Sequence, residues 1–369
     1  MQHKPSTIIP PFAKNLPEFA PQNERHGNPR GLHETAGASF RSAVACVDDS
    51  ALGILVFRHA KAVAAGLEIP VKFMHVMPPE TSEIAPRDPI EWQLRQREAR
   101  DHLSHILDSE PEGLAAKDQY LLNGIAGDEI SRWAREHVGN LLVMATKCGS
   151  SKREAWGLEG QSSLGITVQK VLDESGASML LVPPDQVSVD IVRYHRIMVP
   201  LDGSCRAESV LPFAVRIARN YGAELILAHV VPKPEILEPS LQDSAARNLL
   251  AELQKHNEKN ARSYLDRLQT RLSSKDLTVT AVVESDGDAR DRLAHIAADR
   301  RADLLVLSAR GRGTLTDISC GNVARHIAAH TAVPALIIRH QIAGQKAGSQ
   351  RYENQYNRHD RGIFWAPAH

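Results

Sequence analysis

The sequence has no excess of charge of either sign: 44 lysines and arginines stand against 44 aspartates and glutamates. That balance disfavours a nucleic-acid-binding protein and a membrane-surface protein. No apolar run approaches the ~18–20 residues that cross a bilayer, and the opening residues, Met1 to Ser6, lack the apolar core of a secretory signal. Cysteine is scarce. Cys46, Cys148, Cys205 and Cys320 lie far apart with no Cys-x-x-Cys among them, which implies no disulfide framework and fits a reduced, cytoplasmic setting. No Ser/His/Asp motif and no nucleophile elbow is present.

What is present is a chain of 369 residues, too long for one typical domain, with 42% hydrophobic residues to fill ordinary cores. Its most informative stretch runs from Ala302 to Arg339. A continuous apolar run, Leu304 to Leu307, reads as a strand buried on both faces. A glycine-bearing basic loop follows from Ser308 to Cys320. Gly321-Asn322 then starts a helix with apolar Val323, Ile327 and Ala328, which ends at Val333-Pro334. Ala335 to Ile338 is the next buried strand, so the stretch is a parallel crossover unit.

The same reading along the chain predicts strands at 42–48, 71–77, 118–122, 141–146 and 178–182, then at 196–202, 224–231, 277–284, 304–307 and 335–338. Helices are expected from the Asp49-Ser50 cap to about 66, and at 90–108, 128–137 and 165–174. In the second half they are expected from Gly203-Ser204 to 221, and at 241–272 and 288–300, before the one at 321. The second half repeats the first. Ala43 to Ser50 matches Ile197 to Ser204, placing Asp48 on Asp202, and Met74 to Pro78 matches Ala228 to Pro232. Leu141 to Met144 matches Leu304 to Leu307, Gly165 falls on Gly321, and Met179 to Val182 falls on Ala335 to Ile338. A period this long means tandem domains rather than a solenoid. The expected division is a disordered Pro-rich arm at 1–40, domains at 41–183 and 196–340, a linker at 184–195, and a flexible tail at 341–369. The fold class is α/β, two doubly wound parallel sheets with right-handed crossovers.

Ligands of such sheets bind outside the carboxyl ends of the strands, where strand order reverses. A glycine loop leading into a helix gathers unpaired N–H groups and the positive end of a helix dipole. Gly311 and Gly321 are separated by nine residues, with Arg310 and Arg312 beside the first. An anionic group, above all a phosphate, suits that place. One helix terminus contributes only about 0.3–1 kcal/mol at an exposed site, so several donors must act together.

The stretch resembles the signature of the universal stress protein family, Gly-x2-Gly-x9-Gly-Ser/Thr. Here it reads Ser308-Ala309-Arg310-Gly311, nine residues, then Gly321-Asn322, so Ser308 replaces the first glycine and Asn322 the hydroxyl residue. The resemblance covers about residues 41–340. It implies two Rossmann-like, adenine nucleotide alpha-hydrolase-like domains, ATP as ligand with or without magnesium, and a role as a stress-response sensor or regulator. By the same resemblance Pro200, Leu201, Asp202 and Val230 would contact the base, and Leu307, Ser308, Arg310 and Gly311 would line the ribose and phosphates. Gly321, Asn322, Val323 and Ala324 would receive the phosphate tail. Asn322 would also serve as a helix cap whose amide donates to phosphate.

The first copy is poorer. Ala145 and Cys148 fall on Ser308 and Gly311 without a gap, a one-residue slip brings Gly149 onto Gly311, and Ile166 replaces Asn322. The family's dimers pair their last strands, so 179–182 and 335–338 are expected to join the halves internally or to form a homodimer. Competing readings stay open: a family member without nucleotide that binds a protein partner through tails or strand edges, or a weak ATP hydrolase using Asp202. The glycine loop has a purely structural alternative, and Asp202 could be a helix cap. The His326/His330 and His102/His105 pairs read as solvated helix faces rather than metal ligands, and His75 and His229 as packed structural histidines. Cys320 reads as an ordinary buried thiol, against a lowered pKa at a helix start. The apolar tip Ile363-Phe364-Trp365 is a docking candidate on an otherwise polar tail.

Overall fold

The computed structural model describes residues 39–48, 50, 52–78, 89–108, 119–147, 164–184, 191–233, 244–285, 287–311 and 320–339. The expected arm, except residues 39 and 40, and the whole 341–369 tail lie outside them, as does the 148–163 loop.

The first copy runs β1 (Ser42–Val47), α1 (Leu52–Leu67), β2 (Val71–Met77), α2 (Pro89–Asp108), β3 (Gln119–Asn123), α3 (Ala126–Glu136), β4 (Asn140–Ala145), α4 (Ile166–Glu174) and β5 (Ser178–Val182). The second runs β6 (Arg196–Pro200), α5 (Cys205–Glu208), α6 (Leu211–Tyr221), β7 (Glu224–Val231), α7 (Ser244–Leu272), β8 (Val279–Ser285), α8 (Ala289–Asp299), β9 (Leu304–Ser308), α9 (Asn322–His330) and β10 (Ala335–Ile338). Among the described residues no helix is long and apolar enough to cross a membrane.

All ten strands form one sheet, in the order β3-β2-β1-β4-β5-β10-β9-β6-β7-β8. Each half is parallel throughout, and its strand order reverses between the first and fourth strands, β1/β4 and β6/β9. The halves meet through the expected last strands, which pair antiparallel with Ala335 opposite Leu181 and Ile337 opposite Met179. The central strands are apolar on both faces because helices cover both. Ala43, Ala45 and Val47 face a layer holding α1 and α6 with Leu103 and Ile106 of α2 and Leu265 and Leu268 of α7. Val44 faces the other layer, built from α3, α4, α8 and α9. Each large aliphatic side chain fully buried this way contributes about 1.5–3 kcal/mol.

Several boundaries differ from the sequence reading. The single helix expected up to 221 is two, α5 and α6, broken at Ser209-Val210, with Pro212 in the first turn of α6 where its missing N–H costs nothing. β6 stops at Pro200, two residues early, and β8 starts at Val279, two residues late. α9 ends at His330, three residues before Val333, because Thr331 already takes an extended conformation. β3 is shifted by one residue. As a half-exposed edge strand it lacks the continuous apolar run that fixes β9.

Candidate functional site

In the second copy the carboxyl ends of β6 and β9 lie side by side at the reversal of strand order. Beyond β6 the chain continues through Leu201, whose N–H donates to Ala228 O at 2.8 Å and fixes the turn against β7. The Asp202 carboxylate turns back on its own loop, accepting from Ser204 N at 2.9 Å and Ser204 Oγ at 2.6 Å. Ser204 Oγ in turn accepts from Ala207 N and caps α5. Asp202 is therefore not the helix cap; it positions the residue that is.

The same carboxylate explains Gly311. A Cβ placed on Gly311 would sit 2.5 Å from Asp202 Oδ2, so the glycine lets the β9 loop pass against the β6 loop. The two ends of the β9 loop are tied as well. Ala309 N donates to Ile338 O at 2.9 Å, and Gly321 N donates to Ala309 O at 2.8 Å. Arg310 N donates to Ser308 Oγ at 3.3 Å. Ala309 was not singled out in the sequence, although its backbone closes this ring; only its place between the signature positions marked it. Residues 312–319, with Arg312, lie outside the described set.

Two amides of residues expected to face a ligand, Arg310 and Gly321, and that of Ala309 between them and β9 are thus engaged within the protein. The cradle narrows to Gly311 and the first turn of α9. There Gly321, not Asn322, is the cap, with extended φ −66° and ψ 155°, and no side chain caps the helix. Asn322 is the first helical residue and is exposed, as is Val323. Leu201, Val230, Leu307 and Ala324 are buried in the core and can offer only backbone to a ligand, whereas Pro200, Asp202, Ser308, Arg310, Gly311 and Gly321 are half-buried. A groove of about 310 Å³ opens beside the start of α9, lined by Leu164, Gln169, Arg290, Asn322, Arg325 and His326 among others. It reaches Asn322 but not Asp202 or Gly311.

The first copy repeats this frame. Thr146 N donates to Val182 O and Gly165 N to Thr146 O, both at 2.8 Å, so Thr146 stands on Ala309 and Ala145 on Ser308. Asp48 Oδ1 accepts from Ser50 N and Oγ, as Asp202 does from Ser204. Cys148 and Gly149 lie outside the described residues. Two histidines occupy the backbone of this copy's first turn: His75 Nδ1 lies 3.1 Å from Val47 O and His102 Nε2 lies 3.3 Å from Asp48 O. His75 is buried, as expected of a packed histidine. His102 is half-buried on Asp48 rather than on a solvated face, because α2 folds back over the end of β1. Ile166, in the place of Asn322, is 67% exposed and offers no polar side-chain atom.

The remaining candidates resolve similarly. His326 and His330 stack with ring centroids 4.1 Å apart, and His326 Nε2 lies 3.4 Å from Asp291, an acidic neighbour that the sequence did not reveal. Among the described residues no group of three His, Cys, Asp or Glu side chains could hold a metal ion. Burial pushes the Cys320 thiol up, not down, so it is an ordinary buried thiol.

Comparison with known proteins follows the same division. The model of the universal stress protein family matches the chain twice, over residues 39–183 and 193–339. Universal stress protein Rv2005c of Mycobacterium tuberculosis is 28% identical over 192 residues, 52% of this chain. The match spans only 60% of that relative's length. A universal stress protein structure from Archaeoglobus fulgidus covers 82% of this chain and 99% of its own, with 16% identity and a TM-score of 0.56, a likeness of fold alone. A universal stress protein solved in complex with cAMP covers 41% of this chain and 100% of its own at 24% identity, but its TM-score of 0.27 carries no inference. With both copies matched, the chain belongs to the universal stress protein family and carries two tandem domains of that kind.

Proposed function

We propose that the second copy binds an adenine nucleotide, ATP, and that the chain serves as a nucleotide-responsive sensor or regulator in a stress response. The observation that carries this reading is the first turn of α9. Its cap is a glycine, no side chain caps it, and it opens beside the place where Gly311 brings two loops into contact. Such a turn presents N–H donors and a positive dipole end to phosphate oxygens. Ser308 and Arg310 flank the path from β9 toward α9, and Pro200, Leu201 and Val230 border the end of the sheet where the base would lie. The first copy is a poorer host: its own histidines take the Val47 and Asp48 carbonyls, and Ile166 stands where Asn322 does. The reading is of binding rather than turnover, in a cytoplasmic setting.

One observation favours a second reading, a family scaffold that binds protein instead of nucleotide: three of the loop amides are already satisfied internally. Native mass spectrometry of the purified chain, followed by calorimetry with ATP on the wild type, Gly311→Trp and Asn322→Ala, separates the two. Nucleotide binding predicts retained or added ATP, lost at least tenfold in Gly311→Trp and weakened a fewfold in Asn322→Ala. Wild-type protein that takes up no ATP overturns the reading. Equal binding by both variants shows that the site lies elsewhere.

A further inference from the structure

The two copies differ most where they touch. The charges of Arg339, Arg325 and Arg310 and of one carboxylate, Asp173, act on the Cys320 thiol, buried at the end of the signature loop. Asp173 and the groups that hold Arg325 and Arg339 come from the first copy. Arg325, on α9, reaches across the seam to Asp173 on α4, with Nη1 3.2 Å from Oδ2 and Nη2 against Oδ1. Arg339 follows β10; its N–H donates to Ser178 Oγ at 2.9 Å and its guanidinium to Leu172 O. Burial pulls Arg339 below the usual guanidinium range, and Arg310 and Arg325 pull the same way while Cys320 and Asp173 oppose them. Like charges crowded in a partly dry place are costly, and an anion relieves them.

The pseudo-symmetric place in the first copy carries none of this. Aligned through the Thr146/Ala309 ring, Arg310, Arg325 and Arg339 stand on Lys147, Gln169 and Pro183, and Asp173 stands on Ala329. This combination of three arginines and one aspartate, with Arg325 paired to Asp173, is therefore peculiar to the side that holds α9. Arg325 and Asn322 also line the same groove of about 310 Å³, together with Gln169 of the first copy.

We propose that this seam seats the terminal phosphates of a polyphosphate-bearing ligand, with Arg325 exchanging Asp173 for a phosphate. The inference deepens the nucleotide reading above and rests on it for the base end of the ligand. Arg325 is the residue that touches the ligand; Asp173 is a positioning residue that holds the guanidinium in its absence. Phosphate is the better partner once present, since it carries more charge and takes a guanidinium in two parallel hydrogen bonds as a carboxylate does. The second copy thereby senses phosphate number, and only with the first copy beside it.

The test is calorimetry on the full chain with ATP, AMP and inorganic tripolyphosphate, at low and high salt, for the wild type, Asp173→Asn, Arg325→Gln and Arg325→Lys. Asp173→Asn should tighten ATP and tripolyphosphate roughly fivefold and leave AMP unchanged, the scale of one partly exposed charge interaction. Arg325→Gln should lower the ATP-to-AMP affinity ratio by a similar factor, Arg325→Lys should restore part of it, and both shifts should shrink in high salt. If Arg325 and Asp173 form only a clasp, Asp173→Asn and Arg325→Gln lower the thermal midpoint and the ratio stays at the wild-type value in all three variants, which overturns the proposal while ATP binding itself stands. Binding of tripolyphosphate with the same order of variants, but no binding of ATP, keeps the seam and sinks the nucleotide reading. Binding of none of the three ligands sinks both.

Discussion

Acid should loosen the helix pair that joins the two copies on one face of the sheet, and a single histidine should account for most of the difference. His59 on α1 is 1% exposed, with Nδ1 3.0 Å from the Tyr194 hydroxyl and Nε2 buried without a partner. Tyr194 is equally buried and meets Tyr221 of α6 edge-on, and the Tyr221 hydroxyl donates to Ala62 O of α1. The charge of Asp303 acts on Tyr194 and that of Arg193 on Tyr221. Burial holds His59 at about 4 against an ordinary 6.5. The unfolded chain therefore takes up the proton first, so stability falls as pH drops from about 6.5 to about 4 and then levels off. At about 1.36 kcal/mol per pH unit, the full loss is roughly 3 kcal/mol, of which about 2.5 should be gone by roughly pH 4.5. Urea unfolding of the wild type and His59→Gln between about pH 7.5 and 4.5 isolates this term, since carboxylates titrate alike in both. Glutamine keeps a partner for Tyr194 and cannot charge. The stability difference between the two proteins should move by about 2.5 kcal/mol toward the variant. A difference constant within roughly 0.5 kcal/mol would refute the assignment.

Three further outcomes follow from close contacts. Gly66 lets α1 approach α6, and a Cβ there would lie 3.0 Å from Ile217 Cγ2 and 3.1 Å from Tyr221 Cε2; Gly66→Val should cost about 2 kcal/mol in urea unfolding. Ser204→Ala removes the cap of α5 and the hydroxyl partner of Asp202, so it should cost about 1 kcal/mol and weaken ATP a fewfold by freeing Asp202 to shift against Gly311. Of the described cysteines, Cys205 is exposed, Cys46 is pushed up to about 12 by burial, and Cys320 is raised for the same reason. Brief maleimide treatment at neutral pH, read by mass spectrometry, should label Cys205 and spare Cys46 and Cys320.

What could be read from the sequence follows burial. β9 and β10 are covered on both faces, so continuous apolar runs marked them, and the two matching runs in β4 and β5 exposed the duplication. β3 and β8 lie at the sheet edges with half-exposed residues, and their ends were misplaced by one or two positions. The α5/α6 break was hidden because every residue around Ser209-Val210 is compatible with a helix and only the site of Pro212 marks the restart. Asn322 looked like the cap because asparagine is a good one; Gly321 holds that place instead. The charged pair across the seam could not be read at all: Arg325 and Asp173 are 152 positions apart, and nothing local to either residue announces the other. His102 on Asp48 is hidden for the same reason, since α2 must first fold back over β1.

The antiparallel seam also determines which parts of one copy can influence the other. Two copies related by a two-fold axis through the sheet, and joined by the same edge strand, must meet antiparallel, as β5 and β10 do. Strand ends of one half then lie beside strand starts of the other, and the two candidate sites open at opposite edges of the sheet. What the first copy adds to Arg325 and Arg339 comes from the start of β5 and the end of α4: Ser178, Leu172 and Asp173. The first copy keeps a carboxylate and a carbonyl there, whereas at the mirror position Ala329 offers no charge. On the proposed reading, a ligand site in the second copy and a charged seam beside it are in this sense one division of labour, imposed by the direction in which two last strands pair.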